Sequence, residues 1–350
     1  MSDPARLTDL ATIAADCRVF AEEFQSSLGE HVILPPSLVE HALVALVAGG
    51  HLLLEGNPGM GKQTLARWIA RSVGLSFSAR TFTPDLRGED FLPPRSSGGS
   101  GRGADLDHDP PRGAMPSEVF YAEDIDEAPR STIAALVDTI RDRPVGPDGG
   151  AGGARPLLVI ASRRPAALGA VQTLDPSQLD RFLIQSHIRY PTPAEEWEIA
   201  RWTRPSAGPE KPLRTRGQLA AFSRAAAALE APEAVIGYAW ALVRATRPGN
   251  ELAPQFVERW IKLGVSPCGL VALLAAAKAR ALLLGRIEPT REDVYSMAQP
   301  VLGHRLIGNA EAAAANLTNQ RLIGILLETI LIDGVYARPS GPSDAAGGFF

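Results

Sequence analysis

The stretch His51-Leu52-Leu53-Leu54-Glu55-Gly56-Asn57-Pro58-Gly59-Met60-Gly61-Lys62-Gln63-Thr64 decides the fold. His51 to Glu55 is a short apolar run that reads as a buried strand. Gly49 and Gly50 separate it from the helical apolar spacing of Leu38 to Ala48. Gln63 to Val73 resumes a 3.6-residue period, so the order is strand, glycine loop, helix. Gly56 to Lys62 matches G-x-x-x-x-G-K in the context that motif needs. Glycines tolerate positive φ and let successive backbone N–H groups converge on phosphate oxygens. The helix N-terminus adds a partial positive charge and Lys62 a full one. The segment Gly56, Asn57, Pro58, Gly59, Met60, Gly61, Lys62 therefore predicts nucleotide phosphate binding, against the alternative of an accidental glycine turn. Where the motif calls for Ser or Thr to hold Mg²⁺, the chain has Gln63, with Thr64 one residue late. Glutamine's longer stem suits the near-ideal octahedron of Mg²⁺ poorly, so metal binding by Gln63 or Thr64 is doubtful.

The alternation continues on the C-terminal side. Leu75 to Phe82 reads as a second strand, Glu118 to Ala122 (EVFYA) as a third, Pro156 to Ala161 (PLLVIA) as a fourth and Phe182 to Ile188 (FLIQSHI) as a fifth, with a helix over Ser131 to Ile140. Strands alternating with helices predict an α/β fold, a parallel sheet sandwiched by helices. After Tyr190-Pro191-Thr192-Pro193 the strand signals nearly vanish, and Ala194 to about Val335 reads as helical. The expected organisation is an N-terminal helical segment over 1–30, a nucleotide-binding α/β domain over 31–190, an all-α domain over 191–337 and a flexible tail over 338–350. Pro93 to Pro116, Gly146 to Arg155 and Arg338 to Gly348 lack apolar content and are expected to be mobile.

Composition closes off several classes of function. At 350 residues, 45% hydrophobic and 21% charged, the chain is long enough for two packed domains. A net charge of −4 gives no global basic field, and no zinc knuckle, helix-turn-helix signature or basic-aromatic stripe occurs, so nucleic-acid binding is not expected. There is no G-x-S-x-G, and the 6 His show no HExxH spacing, which argues against serine hydrolase and zinc chemistry. Cys17 and Cys268 are too few for a disulfide framework. The N-terminus lacks a charged segment followed by an apolar core, and no apolar run reaches the roughly 18 residues a membrane span needs. The expectation is a reduced, cytoplasmic protein.

Seven segments, in order, resemble the MoxR branch of the AAA+ ATPases. HLLLEGNPGMGKQTLARWIARSVGLSFSARTFTPDL is similar to its phosphate-loop strand, helix and following segment, and VFYAEDIDEAPRSTIAALVDTI to its Walker B strand and helix. PLLVIASRRP resembles its sensor 1 strand, LDPSQLDRF its arginine-finger segment and RYPTPAEEWEIA the entry to its helical lid. GVSPCGLVALLAAAKARALLLGRIEPTREDV resembles the sensor 2 helix, and VLGHRL the closing motif. The resemblance runs from about residue 31 to 335. The resemblance implies an ATP- or ADP-binding subunit of a homo- or hetero-oligomeric ring, a hexamer, with a protein client and a von Willebrand A-domain protein as partner.

Carried over position by position, the resemblance exposes departures. A family Walker B strand ends in Asp, which holds the Mg²⁺ shell, then Glu, which activates water. Here the order is reversed, Glu123-Asp124, so each carboxylate reaches wrongly by one methylene, and misplacement by roughly 1 Å costs on the order of 10²-fold in rate. The alternative reading is that Glu123, Asp124, Asp126 and Glu127 form an acidic turn capping the next helix. Arg164 stands where the family's sensor 1 Asn orients the attacking water. It either binds phosphate as a fork or forms an exposed basic turn. Cys268 stands where the sensor 2 Arg is usual, and is expected to be a buried structural thiol. Arg181 matches the finger that reaches a neighbouring subunit's site; its alternative is a local pair with Asp180 or Asp175. His51 and His304 are expected to be packing residues, and the loop around His108 a solvated one.

The departures at Gln63, Glu123, Asp124, Arg164 and Cys268 all fall in the chain's own site, whereas Arg181 serves a neighbour. Two functions follow as expectations: a MoxR-like chaperone or remodelling ring subunit with slow or lost hydrolysis, or a non-hydrolysing pseudo-ATPase scaffold that donates its finger in a mixed assembly.

Overall fold

The computed structural model describes residues 4–90, 117–141, 156–165, 174–201, 208–330 and 334. The glycine-rich stretches, the His108 loop and the C-terminal tail lie outside them. Helix α1 (Pro4–Gly29) leads into α2 (Pro36–Ala48), which starts with Pro at its first position and stops at Gly49, whose φ of 71° lets its N–H return to Ala45 and Leu46 carbonyls. Gly50 follows because the chain runs hard against Leu183: a Cβ at Gly50 would lie 2.3 Å from that side chain's Cβ.

Strand β1 (Leu52–Glu55), α3 (Lys62–Ser72), β2 (Phe77–Thr81), β3 (Val119–Glu123), α4 (Arg130–Arg141), β4 (Leu158–Arg163), the short α5 (Pro176–Leu179) and β5 (Ile184–His187) complete the α/β part. The five strands form a parallel sheet in the order β2-β3-β4-β1-β5, as expected from their apolar character and alternation with helices. The strands are shorter at their starts than the apolar runs suggest. Phe182 belongs to the turn after α5, its N–H bonded to the Leu179 carbonyl, before β5 begins.

The two sheet faces feed different cores. Leu53, Phe120, Ala122, Val159 and Ala161 pack with α4, Phe82 and Phe182. Leu52, Leu54, Tyr121, Ile160 and Ile184 join a larger cluster with α1, α2 and α3 that extends without a break into the helical part.

That part comprises α6 (Pro193–Arg201), α7 (Arg216–Ala228), α8 (Glu233–Ala245), α9 (Gln255–Trp260), β6 (Ile261–Leu263), α10 (Pro267–Leu283), α11 (Arg291–Leu302), β7 (Ile307–Gly308), α12 (Ala310–Ala314) and α13 (Asn319–Thr329). The antiparallel pair β6–β7 was not legible from the sequence, because neither strand is long enough to show a period. Helix α10 packs against α2, α7, α8 and α11, and α1 lies across α7 and α10. The anchor for α1 is Phe20 against Phe222, at 5.9 Å between ring centroids, with Arg214 bridging Asp16 at 2.9 Å and Glu23 at 2.7 Å. Among the described residues no single helix is long and apolar enough to cross a membrane.

Candidate functional site

The loop between β1 and α3 has the backbone its glycines predict. Gly59 and Gly61 hold φ of 78° and 75°, and a Cβ at Gly59 would meet nothing within 4 Å, so the loop opens outward there. Gly56 is required for a different reason: its Cβ would come within 3.0 Å of the Ile188 side chain. Lys62 is buried and its Nζ donates to the carbonyls of Gly56 at 2.7 Å and Asn57 at 2.8 Å. Burial lowers the Lys62 pKa, opposed by Asp124 most strongly, then Glu123 and Asp126. Pro58 is exposed, Met60 packs on the larger core, and Gln63 and Thr64 sit half-buried in the first turn of α3. An outward-opening glycine cradle with a lysine at its base suits a polyphosphate. The donor set for Mg²⁺ is poorer, since position 63 carries no hydroxyl.

At the end of β3 the reversed acid pair has a structural consequence. Glu123 accepts a hydrogen bond from the Thr81 hydroxyl at 3.0 Å. Asp124 leaves the strand in the left-handed region, φ 51° and ψ 53°, and its N–H donates to Ser162 Oγ at 3.1 Å, an oxygen that also accepts from the Tyr121 hydroxyl at 3.1 Å. The one-methylene argument assumes that the strand continues. Here the chain turns left-handed at Asp124, directly after the strand. Burial raises the Asp124 pKa, with Lys62 opposing and Glu123 and Asp126 reinforcing. Asp124 makes no side-chain cap on the turn Ile125–Glu127, and Asp126 is fully buried beneath Arg164.

Arg164 is not an exposed basic turn. Its guanidinium is three-quarters buried and faces Asp126 at 3.7 Å and Glu127 in close contact, and its N–H reaches Asp126 Oδ1 at 3.3 Å. The carboxylates of the turn Ile125–Glu127 hold it, so a phosphate would have to compete with them.

Arg181 is exposed and, among the described residues, has no ion-pair partner. Both carboxylates that would have paired it locally are taken: Asp180 by Arg305 at 2.7 Å and Asp175 by Arg130 at 3.9 Å. Cys268 is exposed, which corrects the expectation of a buried thiol, because the first turn of α10 faces solvent on that side. Cys17 is the buried one. His51 is a packing residue as expected, its Nδ1 accepting from the Val159 N–H at 3.0 Å. His304 is likewise buried, with Nε2 at 2.9 Å from the Phe182 carbonyl and its pKa driven well below the usual value by burial.

Two functional features were missed. Glu55 at the tip of β1 binds Arg163 at 2.7 Å, Gln185 at 3.0 Å and His187 at 3.4 Å, lining with Gln320 a cavity of about 250 Å³ between sheet and helical part. Burial raises the Glu55 pKa, but the His187 and Arg163 contacts outweigh it and leave the carboxyl below its ordinary range. A charged residue closing an apolar strand was the available signal. Arg305 was the other, a cation directly after a helix in VLGHRL.

Comparison with known proteins agrees with this geometry. The family model described as ATPase family associated with various cellular activities matches residues 51–184, and the AAA lid domain model matches 255–323. Chaperone MoxR1 of Mycobacterium tuberculosis is 32% identical over 307 residues, covering 86% of this chain and 79% of that protein. Protein MoxR of Methylorubrum extorquens is 27% identical, covering 83% and 88%. A crystal structure of a Cytophaga hutchinsonii protein shares the fold, with a TM-score of 0.78 at 23% identity over 93% of this chain and 98% of that one. The glycine loop with its buried lysine, the acidic end of β3 and these relatives together establish that the chain belongs to the MoxR-type AAA+ ATPases.

Proposed function

We propose that the chain is an ATP- or ADP-binding chaperone or remodelling subunit of an oligomeric ring, working in the cytoplasm, whose own site hydrolyses ATP slowly or not at all. Its named relatives, a chaperone and a MoxR protein, point to a protein client. A hexameric ring and a von Willebrand A-domain partner belong to the same reading. The observation that carries it is the contrast within one site. The chain keeps Lys62 and the glycine cradle, the groups that bind phosphate, whereas the sensor 1 position holds an arginine engaged by Asp126 and Glu127. A guanidinium has no lone pair with which to accept a proton or orient water, so binding survives where water activation is weakened.

When bound, ATP would be held by the N–H groups of Gly56 to Lys62 and by the Lys62 ammonium, which must exchange its carbonyl partners for phosphate oxygens. Asp124, with its carboxyl raised by burial, is the remaining candidate base at the tip of β3. The test is calorimetric binding of ATP and ADP together with steady-state turnover. Micromolar binding abolished by Lys62→Ala, with turnover at least about 10²-fold below the ~1 s⁻¹ low end of ordinary enzymes, is expected. Turnover in that ordinary range, lost in Lys62→Ala, would contradict the reading.

The alternative, a non-hydrolysing scaffold that donates Arg181 to an active homologue, draws on the exposure of Arg181 and the engagement of Asp180 and Asp175 elsewhere. Magnesium separates the two: equal nucleotide affinity with and without Mg²⁺, and no consumption, favours the scaffold.

A further inference from the structure

Arg305 lies just beyond the C-terminus of α11, and only 4% of its side chain is exposed. Nearly all its donors converge on one turn. Nε meets Asp180 Oδ1 at 2.7 Å, one terminal nitrogen donates to the Leu183 carbonyl at 3.1 Å, and the other donates to the carbonyls of Asp180 at 3.2 Å and Phe182 at 2.8 Å. The Val301 carbonyl and His304 complete the shell. These contacts bracket Arg181, whose side chain has no ion-pair partner among the described residues and is exposed, its N–H donating to the Gln178 carbonyl at 3.3 Å.

The stem of Arg305 is held just as closely from the other side. A Cβ at Gly269, in the first turn of α10, would lie 3.2 Å from Arg305 Cδ and 2.3 Å from Val265 Cγ1. The first turn of α10, the Arg305 stem, the Arg305 fork and the turn bearing Arg181 are thus in unbroken contact. A planar fork fixes both distance and orientation, which a lysine in the same place would not.

We infer that Arg305 is the positioning residue for Arg181, carrying the placement of α10 in the lid to the group that a second copy of this chain, or a close homologue, receives at its bound nucleotide. The inference rests on the reading of Arg181 as a trans-acting finger. Its consequence is directional: a shift of α10 in one subunit moves the finger offered to the next. Spatial contiguity alone does not establish coupling, so the test measures coupling directly.

The readout is the ratio of affinities for fluorescent N-methylanthraniloyl ATP and ADP, measured on the full-length chain at concentrations where sedimentation shows the oligomer. A finger on the terminal phosphate favours ATP, so Arg181→Ala is expected to lower the ATP preference by roughly tenfold. Arg305→Lys keeps the charge beside Asp180 but loses the fork. It is expected to lower the preference by the same factor, with no further loss in the double variant. Gly269→Ala, which touches neither arginine's charge, drives its Cβ into Val265 and crowds the Arg305 stem, and is expected to act in the same direction by shifting the first turn of α10. Circular dichroism checks that each variant folds, and hydrogen exchange at residues 180–183 is expected to quicken in Arg305→Lys.

A purely structural staple would give additive losses or none. Preserved ATP preference in Arg305→Lys, alongside its loss in Arg181→Ala, overturns the inference alone. An unaffected Arg181→Ala, or a chain that stays monomeric with nucleotide, removes the trans-finger reading and the inference together.

Discussion

Burial decides the chemistry of the two thiols, and it decides it against their sequence context. Cys17 lies on the inward face of α1, in the core, where burial first and Asp16 second, opposed by Arg214, push its pKa up to about 12. Cys268 is open to solvent. The thiolate is the reactive form, so native protein at pH 8 should give one fast-reacting equivalent with Ellman's reagent and two in denaturant, the fast one absent from Cys268→Ser. Two fast equivalents in the native state would show that α1 is not docked on the core. The same logic gives His41 a titration signature. Burial, then Arg280, lowers its pKa from 6.5 to about 4, with Ser186 Oγ at 3.0 Å from Nδ1. The folded value is depressed, so the unfolded chain takes the proton first. Stability is full above pH 6.5 and falls toward pH 4, losing about 2 kcal/mol by pH 5. His304 adds to that slope. Urea midpoints at pH 7.5 and 5 should therefore converge in His41→Gln without becoming equal, and an unchanged gap would refute the assignment. Site residues were legible where a residue type announces its use, as at Lys62. They were not where use depends on a neighbour: nothing in Ser162-Arg163-Arg164 says that Glu55 claims one arginine and Asp126 with Glu127 the other.

Between elements, one ionic cluster ties the sheet-side helix α2 to the helical part. Asp293 of α11 is fully buried and accepts from Arg280 at 2.6 Å, from Arg286 at 2.6 Å and from the Thr290 N–H at 2.7 Å; Arg280 in turn meets Glu40 of α2 at 2.7 Å. Burial alone would raise the Asp293 pKa, but the Arg286 and Thr290 bonds outweigh it and hold the carboxyl below its ordinary range. Removing Asp293 takes the shared acceptor from Arg280, Arg286 and Thr290 at once and leaves Arg280 with Glu40 alone, so Asp293→Ala is expected to cost about 3–5 kcal/mol in denaturant unfolding. Glu40→Gln, whose partner Arg280 keeps Asp293, should cost under about 1 kcal/mol. Equal losses would mean that the cluster is not organised around Asp293. Elements with a strong period or an apolar run, such as α2 and β1, were legible because one face or the whole strand is buried. The strands β6 and β7 were not, since their pairing spans more than forty residues and is set by tertiary contact.

At the scale of the whole molecule, the change of secondary-structure class near residue 191 is not a break in packing. Leu52 and Leu54 of the sheet, Trp68 of α3, Phe20 of α1, Leu273 and Leu282 of α10 and Val294 of α11 belong to one buried apolar cluster. Sequence reading places boundaries where the pattern of elements changes, but cohesion is set by which apolar faces meet, and those of α2 and α10 meet each other. Domains that share only a polar, modest interface unfold separately; an uninterrupted core removes the intermediate in which one half stays folded. Differential scanning calorimetry of the nucleotide-free chain is therefore expected to show one transition, with calorimetric and van't Hoff enthalpies in agreement. The fragment 1–190 should fail to fold alone, because its α2 face, including Leu43 and Leu46, would be stripped of α7 and α10. Two resolved transitions, or a soluble and cooperatively folded 1–190 fragment, would mean that the shared cluster contributes less than each part's own packing. In that case lid movement would not require the core to rearrange. A single transition implies the opposite: any displacement of α10 that accompanies nucleotide binding must be small and must slide within a packed core, as a shear motion rather than a hinge opening.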